Sequence, residues 1–144
     1  MTKREELLAL ADEHGYLVIE PPPDGTLESV TIISPKGTRC VFVRQSGRED
    51  AEINEQLAHE LGHCEEDAFY TERSAPAARL RAENMAARWS YRKMIPLSAL
   101  LSAFSSGETE AWQIAERLSV PERMVREAAE YYRAAFSPVF LHSP

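Results

Sequence analysis

Residues 59–63 read His-Glu-Leu-Gly-His, two histidines four apart with a glutamate directly after the first. Side chains four apart lie one above the other on a helix, so His59 and His63 can present imidazole nitrogens to one metal ion. Glu60 lies about 100° further round, where its carboxylate can reach water beside the metal. The pattern therefore predicts one Zn²⁺ per chain, with Glu60 as the general base.

The alternative is that the histidines fall four apart by accident. A random shuffle of this composition gives the pattern only about one to two times in a hundred. Ile53, Leu57 and Leu61 recur four apart, which predicts that the segment from Asp50 is already an amphipathic helix. Gly62 costs about 1 kcal/mol relative to alanine inside a helix, so we expect a close approach there. These features favour a metal site.

A catalytic zinc ion needs a third protein ligand and an open position for water. Glu66 and Asp67 follow on the same helix, but the rise of the helix carries them too far along its axis to share the metal with His63. They are expected either to contact a ligating histidine or to lie in solvent. Phe69 stands where a metzincin has its third histidine, which excludes that class. Glu83, on the next predicted helix, is by its spacing either the third ligand or an exposed acid.

The rest of the chain predicts an α+β fold in a single domain, 1–144. We expect a small antiparallel sheet, essentially a hairpin, packed on the motif helix, followed by C-terminal helices. The predicted elements are a helix over 3–14, strands over 16–19, 29–33 and 39–43, the motif helix from 50, a helix over 76–94 and two or three short helices after it. Residues 1–95 would form the core with the metal site, and 96–136 a helical subregion.

Composition argues against a protein that binds nucleic acid, spans a membrane, is secreted or depends on disulfides. The formal net charge is −7, and an acidic chain repels a phosphate backbone, so no direct contact with nucleic acid is expected. The acidic N-terminal stretch is unlike a signal peptide, and no apolar run approaches the roughly 20 residues that span a membrane. Cys40 and Cys64 are too few for a disulfide framework. These features predict a cytoplasmic protein with free thiols and no membrane contact.

Two blocks of sequence resemble the ImmA/IrrE-type metallo-endopeptidases of mobile elements and stress-response operons. The first is Ala-His-Glu-Leu-Gly-His-Cys-Glu at 58–65, followed by Phe-Tyr at 69–70. The second is Glu-Asn-Met-Ala-Ala-Arg-Trp-Ser at 83–90, running into Lys-Met-Ile-Pro at 93–96. The resemblance continues into the tail at 107–133 and is only loose in the N-terminal third.

The resemblance implies a zincin-like core in which Glu83 is the third zinc ligand, as in gluzincins. It further implies an intracellular endopeptidase whose protein substrate is a helix-turn-helix transcriptional repressor. Cleavage of that repressor would derepress a phage, another mobile element or a stress operon. An alternative within the same family is a catalytically silent metal-binding module that sequesters the repressor.

Ala87 departs from the pattern of the family, which often has asparagine or aspartate there. A polar side chain at that position could orient a ligating histidine. In this chain that role falls to Glu66, to Asp67 or to a backbone carbonyl.

Two further features concern the substrate. Tyr70 and Tyr91 are candidates to stabilise the oxyanion of the transition state, although a tyrosine near a site is often only packed there. The hairpin over 29–43 offers an edge strand to which an extended peptide could add, or it simply covers the motif helix.

A DNA-binding regulator is the competing class. Residues 112–126 have the rhythm of a helix-turn-helix, with a turn around Pro121. From Pro96 onward, however, four arginines face six glutamates, a balance of −2, which is a poor match for phosphates. A helical pair that packs or docks on protein fits that charge better.

Overall fold

The fold is α+β, with six helices and one three-stranded sheet, in a computed structural model that describes the backbone of residues 1–141 and the side chains of residues 1–136. In chain order the elements are α1 (Lys3–Glu13), β1 (Leu17–Ile19), β2 (Ser29–Ile33), β3 (Arg39–Val43), α2 (Asp50–Glu65), α3 (Pro76–Met94), α4 (Leu97–Ser105), α5 (Ala111–Leu118) and α6 (Glu122–Leu141). The α+β class that the sequence predicts is thereby confirmed.

The sheet has the order β1-β3-β2. Strands β2 and β3 form the expected antiparallel hairpin, and its turn contains Gly37 at φ +89°. Strand β1 instead pairs parallel to β3, with Leu17 opposite Cys40, so the prediction of an all-antiparallel sheet is wrong. The paired residues are 23 apart in the chain, and parallel strands are joined by a long connection. No local turn sequence therefore predicts this pairing.

The loop between β1 and β2 carries the chain from one edge of the sheet to the other. Buried Arg44 holds this loop because its guanidinium donates hydrogen bonds to the carbonyls of Pro22, Gly25 and Leu27 at 2.9–3.0 Å. These bonds satisfy both the buried cation and the loop backbone. Strand β2 is thereby placed at an outer edge of the sheet, beside α2.

Helix α2 runs through the centre of the fold and packs against β2, β3, α1 and α3. Its buried apolar residues join one hydrophobic core with residues from α1, the sheet and α3 to α6. That core includes Leu7, Val41, Leu57, Leu61, Met94, Leu100, Ile114, Met124 and Tyr132. Among the helices of the described residues, none is both long and apolar enough to cross a membrane.

The contact between α2 and α3 is unusually close because both helices present small residues to it. Ala82, Ala86 and Ser90 recur at helical spacing on the buried face of α3. A Cβ atom added at Gly62 would lie 2.6 Å from the Ala86 carbonyl oxygen and 3.0 Å from its Cα. The close approach expected from Gly62 is therefore present, and it is to the backbone of α3.

We expect Gly62→Ala to destabilise the protein by about 1–3 kcal/mol, because the added methyl group overlaps α3 backbone and the helices must separate. Glycine to alanine inside a helix ordinarily stabilises by about 1 kcal/mol, so the sign of the change is diagnostic. Urea unfolding followed by circular dichroism measures it. A variant as stable as the wild type would show that the helices do not need this close approach.

Candidate metal centre

His59 and His63 point the same ring nitrogen toward one carboxylate oxygen. Glu83 Oε2 lies 2.7 Å from His59 Nε2 and 3.5 Å from His63 Nε2. The two imidazole centroids are 5.0 Å apart. Three ligand-type atoms, from residues up to 24 positions apart, thus converge on one point between α2 and α3.

These positions follow from the two helices. His59 and His63 share a face of α2 because they are one turn apart. Glu83 lies on α3, three residues before Ala86, which touches Gly62. The same close approach that requires glycine at position 62 therefore brings the Glu83 carboxylate to the histidines.

His59 and His63, together with a carboxylate from Glu60 or Glu83, could hold a metal ion. His59, Glu60 and His63 each place a ligand-type atom within 4.8 Å of the other two. Zinc takes imidazole nitrogen and carboxylate oxygen at about 2.0–2.2 Å in tetrahedral sites, so neighbouring ligand atoms are roughly 3.3 Å apart. The 2.7 and 3.5 Å separations bracket that value. The residues present therefore fit such an ion.

Glu60 is buried, with 7% of its surface exposed, and two hydroxyl groups of β2 hold its carboxylate. Thr31 Oγ1 donates to Oε1 at 2.8 Å and Ser29 Oγ donates to Oε2 at 3.2 Å. The sequence analysis missed both hydroxyl residues. Ser29 and Thr31 are two residues apart on a strand that was expected beside the motif helix, so their side chains lie on the same face of the sheet. This spacing is the feature of the sequence that could have identified them.

A backbone carbonyl orients His63. Its Nδ1 lies 2.6 Å from the Ala68 carbonyl oxygen, which leaves Nε2 free to face Glu83. The chain can fold back to make this contact because Asp67 adopts a left-handed conformation at φ 51°. Arg39 fixes the turn by donating to the Cys64 carbonyl and pairing with Asp67.

The two acids predicted behind the ligands lie elsewhere. Asp67 pairs with Arg39 at 2.7 Å, and Glu66 pairs with Arg92 at 2.9 Å. Each carboxylate is drawn to a guanidinium group and away from the imidazoles. Of the three groups considered for orienting a histidine, it is the backbone carbonyl that contacts one.

The two candidate tyrosines have different neighbours. Tyr70 donates a hydrogen bond to Glu83 Oε1 at 2.5 Å, and this bond, burial and the charge of Glu83 raise the pKa of Tyr70 to about 12. Tyr91 donates to Glu127 Oε2 at 3.0 Å, and burial followed by that bond raises its pKa to about 12. Both phenols therefore stay protonated near neutral pH. Tyr70 touches the site, whereas Tyr91 borders a cavity beside it.

Glu83 is held as a carboxylate. Burial raises its pKa, but the hydrogen bonds from Tyr70 and His59 and the two histidine charges outweigh burial, so the pKa lies below its ordinary value. An ionised carboxylate is the form that binds a metal.

Cys64 follows the second histidine but does not join the site. Its side chain is 1% exposed, and burial raises the pKa of the thiol to about 12. Cys40 is also buried, and both cysteines are free, as predicted. A buried thiol of this kind is inert.

Two cavities border Glu60 and Ser29. One, of about 150 Å³, is also lined by Thr31, His63, Phe69, Tyr70 and Glu83. The other, of about 310 Å³, extends past His59 between α2, α3 and α6. The site is therefore open to a ligand on two sides of the Glu60 carboxylate.

Comparison of the chain with models of protein families, with curated proteins and with solved structures found no match.

We expect wild-type protein purified without a histidine tag to bind about one zinc ion, and Glu83→Gln to bind it at least tenfold more weakly, because an amide is a poor zinc ligand. Isothermal titration calorimetry and elemental analysis measure both. Glu66→Gln is the matched control, since Glu66 pairs with Arg92. Equal zinc affinity in Glu83→Gln and wild type would contradict this geometry.

Proposed function

We propose that the protein is a zinc-dependent endopeptidase of gluzincin type, with His59, His63 and Glu83 as metal ligands and Glu60 as general base. One observation carries the proposal: Glu83 Oε2 lies within 3.5 Å of both Nε2 atoms, while the Glu60 carboxylate beside them is occupied by hydroxyl groups of β2. Glu83 is thus placed to be the third metal ligand, and Glu60 is left to be the base. A catalytic zinc site needs three protein ligands and, in this mechanism, a separate base.

A bound divalent ion would polarise the scissile carbonyl and bring the pKa of water from 15.7 toward about 7. The protein's own part is to hold the base and to move a proton. Glu60 accepts the proton of the attacking water and later delivers one to the departing amine. The hydroxyl groups of Ser29 and Thr31 keep its carboxylate aimed at the site while the proton moves.

Strand β2 provides a place for the substrate backbone. It is an edge strand in the order β1-β3-β2, so its outer backbone groups are available for pairing. Its residues 29–31 also line the cavity that contains Glu60 and His63. An extended peptide that adds to this edge would pass directly over the site.

Tyr70 could first hold Glu83 in place and then donate a hydrogen bond to the substrate. Its hydroxyl group fixes the free oxygen of Glu83, and its side chain is 40% exposed, so it can turn toward a substrate. A phenol, whose ordinary pKa is about 10, is still protonated at neutral pH after it leaves Glu83 and can donate a hydrogen bond to an oxyanion. Tyr91 is engaged by Glu127 and is the weaker candidate.

The proposed substrate is a helix-turn-helix repressor. This part of the proposal rests on the resemblance of residues 58–65 and 83–96 to the ImmA/IrrE-type metallo-endopeptidases. Cytoplasmic action follows from the same resemblance. The alternative of a silent module, raised by Ala87, is weakened because the Ala68 carbonyl already orients His63.

The DNA-binding alternative finds little support in α5 and α6. Ser119 ends α5 in a left-handed conformation, and the short turn that follows leads into α6. On α6, however, Arg123, Arg126 and Arg133 are each paired with a glutamate. Cations already neutralised in this way offer little attraction to phosphates.

We expect the zinc-loaded protein to cleave a repressor encoded beside it, and Glu60→Gln to lose at least a hundredfold in rate while keeping its zinc, because the base is gone and the ligands remain. Gel electrophoresis with mass spectrometry follows the products. Glu52→Gln, an exposed residue on the same helix, is the control. A wild type that binds repressor and zinc but never cleaves would favour the silent module.

We expect Thr31→Val to lower kcat about tenfold with little change in KM or zinc content, because a charge-assisted hydrogen bond to the base is lost. Thr31→Ser keeps a hydroxyl group and should restore most of the activity. If valine and serine behave alike, the hydroxyl has no part in holding Glu60.

A further inference from the structure

The turn that ends α2 also supplies the hydrogen-bond partner of the His63 ring. The Ala68 N–H donates to the His63 carbonyl at 2.9 Å, and the Asp67 N–H donates to the Cys64 carbonyl at 3.3 Å. Two such bonds around a left-handed residue form the Schellman motif, a common cap of helix C-termini. The Ala68 carbonyl in turn accepts from His63 Nδ1 at 2.6 Å. The conformation of this cap therefore decides whether the ring keeps its partner.

The left-handed residue of the cap is Asp67, at φ 51°. Glycine usually takes that position, because the left-handed conformation is unfavourable for a residue that carries a side chain. The Asp67 carboxylate accepts a hydrogen bond from Arg39 at 2.7 Å. An ion pair with another element of the fold thus holds the unfavourable conformation in place.

Arg39 contacts the turn at three points. It is the first residue of β3, and its guanidinium group reaches from the sheet to the Cys64 carbonyl, to the Asp67 carboxylate and to the face of the Phe69 ring, whose centroid is 5.1 Å away. These contacts lie on both sides of Ala68 in the chain. The bond between Arg39 and Asp67 joins two charged groups, which makes it stronger than a bond between neutral ones.

We propose that Arg39 and Asp67 are positioning residues for His63. By holding the cap they keep the Ala68 carbonyl on Nδ1, and a carbonyl can only accept, so the neutral ring carries its proton there. The lone pair is then on Nε2, the atom that faces Glu83 and that would bind a metal ion. The inference rests on the proposed function, in which His63 is a metal ligand, and it gives a residue of the sheet a part in zinc affinity.

NMR chemical shifts of the imidazole nitrogens in zinc-free protein report which nitrogen of neutral His63 carries the proton. We expect Nδ1 in the wild type. Asp67→Ala loses the ion pair and forces alanine into the left-handed conformation, so part of the population should move to the Nε2–H form and zinc should bind about tenfold more weakly. Asp67→Gly loses the same ion pair but adopts the conformation freely, so its zinc affinity should stay within about threefold of the wild type.

Changes at Arg39 show whether the guanidinium group acts through the turn. Arg39→Met should shift the tautomer and weaken zinc binding about tenfold, and adding Asp67→Gly should restore both, because glycine does not need to be held. Arg92→Met is the matched control. It removes an arginine that pairs with Glu66, the neighbour of Asp67, and should change neither quantity. Circular dichroism confirms that each variant is folded, and if Arg39→Met is not, the two Asp67 variants decide the proposal.

A wild-type tautomer and zinc affinity in Asp67→Ala or Arg39→Met would overturn the proposal. Equal losses in Asp67→Ala and Asp67→Gly would also overturn it, since they would show that the charge of Asp67 matters and the turn does not. The tautomer is measured without metal, so the two proposals can fail separately. The expected tautomer shifts in a protein that binds no zinc refute only the metal site, whereas a zinc-binding wild type with its proton on Nε2 refutes only the positioning role.

Discussion

The contact of Gly62 with the backbone of Ala86 sets the distance between α2 and α3, and the rest of the site depends on that distance. The histidines are fixed on α2 and Glu83 on α3, so the spacing of the helices decides whether their ligand atoms converge. Small residues at 82, 86 and 90 of α3 allow the approach, and glycine completes it. The cost of glycine inside a helix is thus offset by the close packing of the two helices.

Three glutamates near one another have different surroundings. Glu83 is 40% exposed at its side chain, and Tyr70 and the histidines hold it ionised. Glu60 is almost fully buried and is held by two neutral hydroxyl groups, an arrangement suited to a group that must gain and lose a proton. Glu127 shares a guanidinium group and a phenol at the rim of a cavity. All three residues are glutamates, so any difference in their chemistry comes from the groups that surround each carboxylate.

Much of the framework could be predicted because its signals are local. Helical periodicity predicted α2, Pro76 and Pro96 indicated the two ends of α3, and the β-rich runs predicted β2 and β3. The His-Glu-Leu-Gly-His spacing predicted the group of residues that could hold a metal ion. The parallel pairing of β1 with β3 was missed because it depends on a crossover loop held by Arg44. Glu66 and Asp67 were drawn away by Arg92 and Arg39, partners that no spacing rule connects to them. The Glu55–Arg123 pair joins residues 68 apart, so the cavity that both residues line exists only in the folded chain.

Zinc K-edge X-ray absorption spectroscopy of the zinc-loaded wild type tests the central claim, that the close helix pair gathers two imidazoles and one carboxylate around a metal ion. The account predicts nitrogen and oxygen ligands at about 2.0–2.1 Å, the multiple scattering of two imidazoles, and no sulfur at about 2.3 Å. A sulfur ligand, or scattering from fewer than two imidazoles, would contradict it.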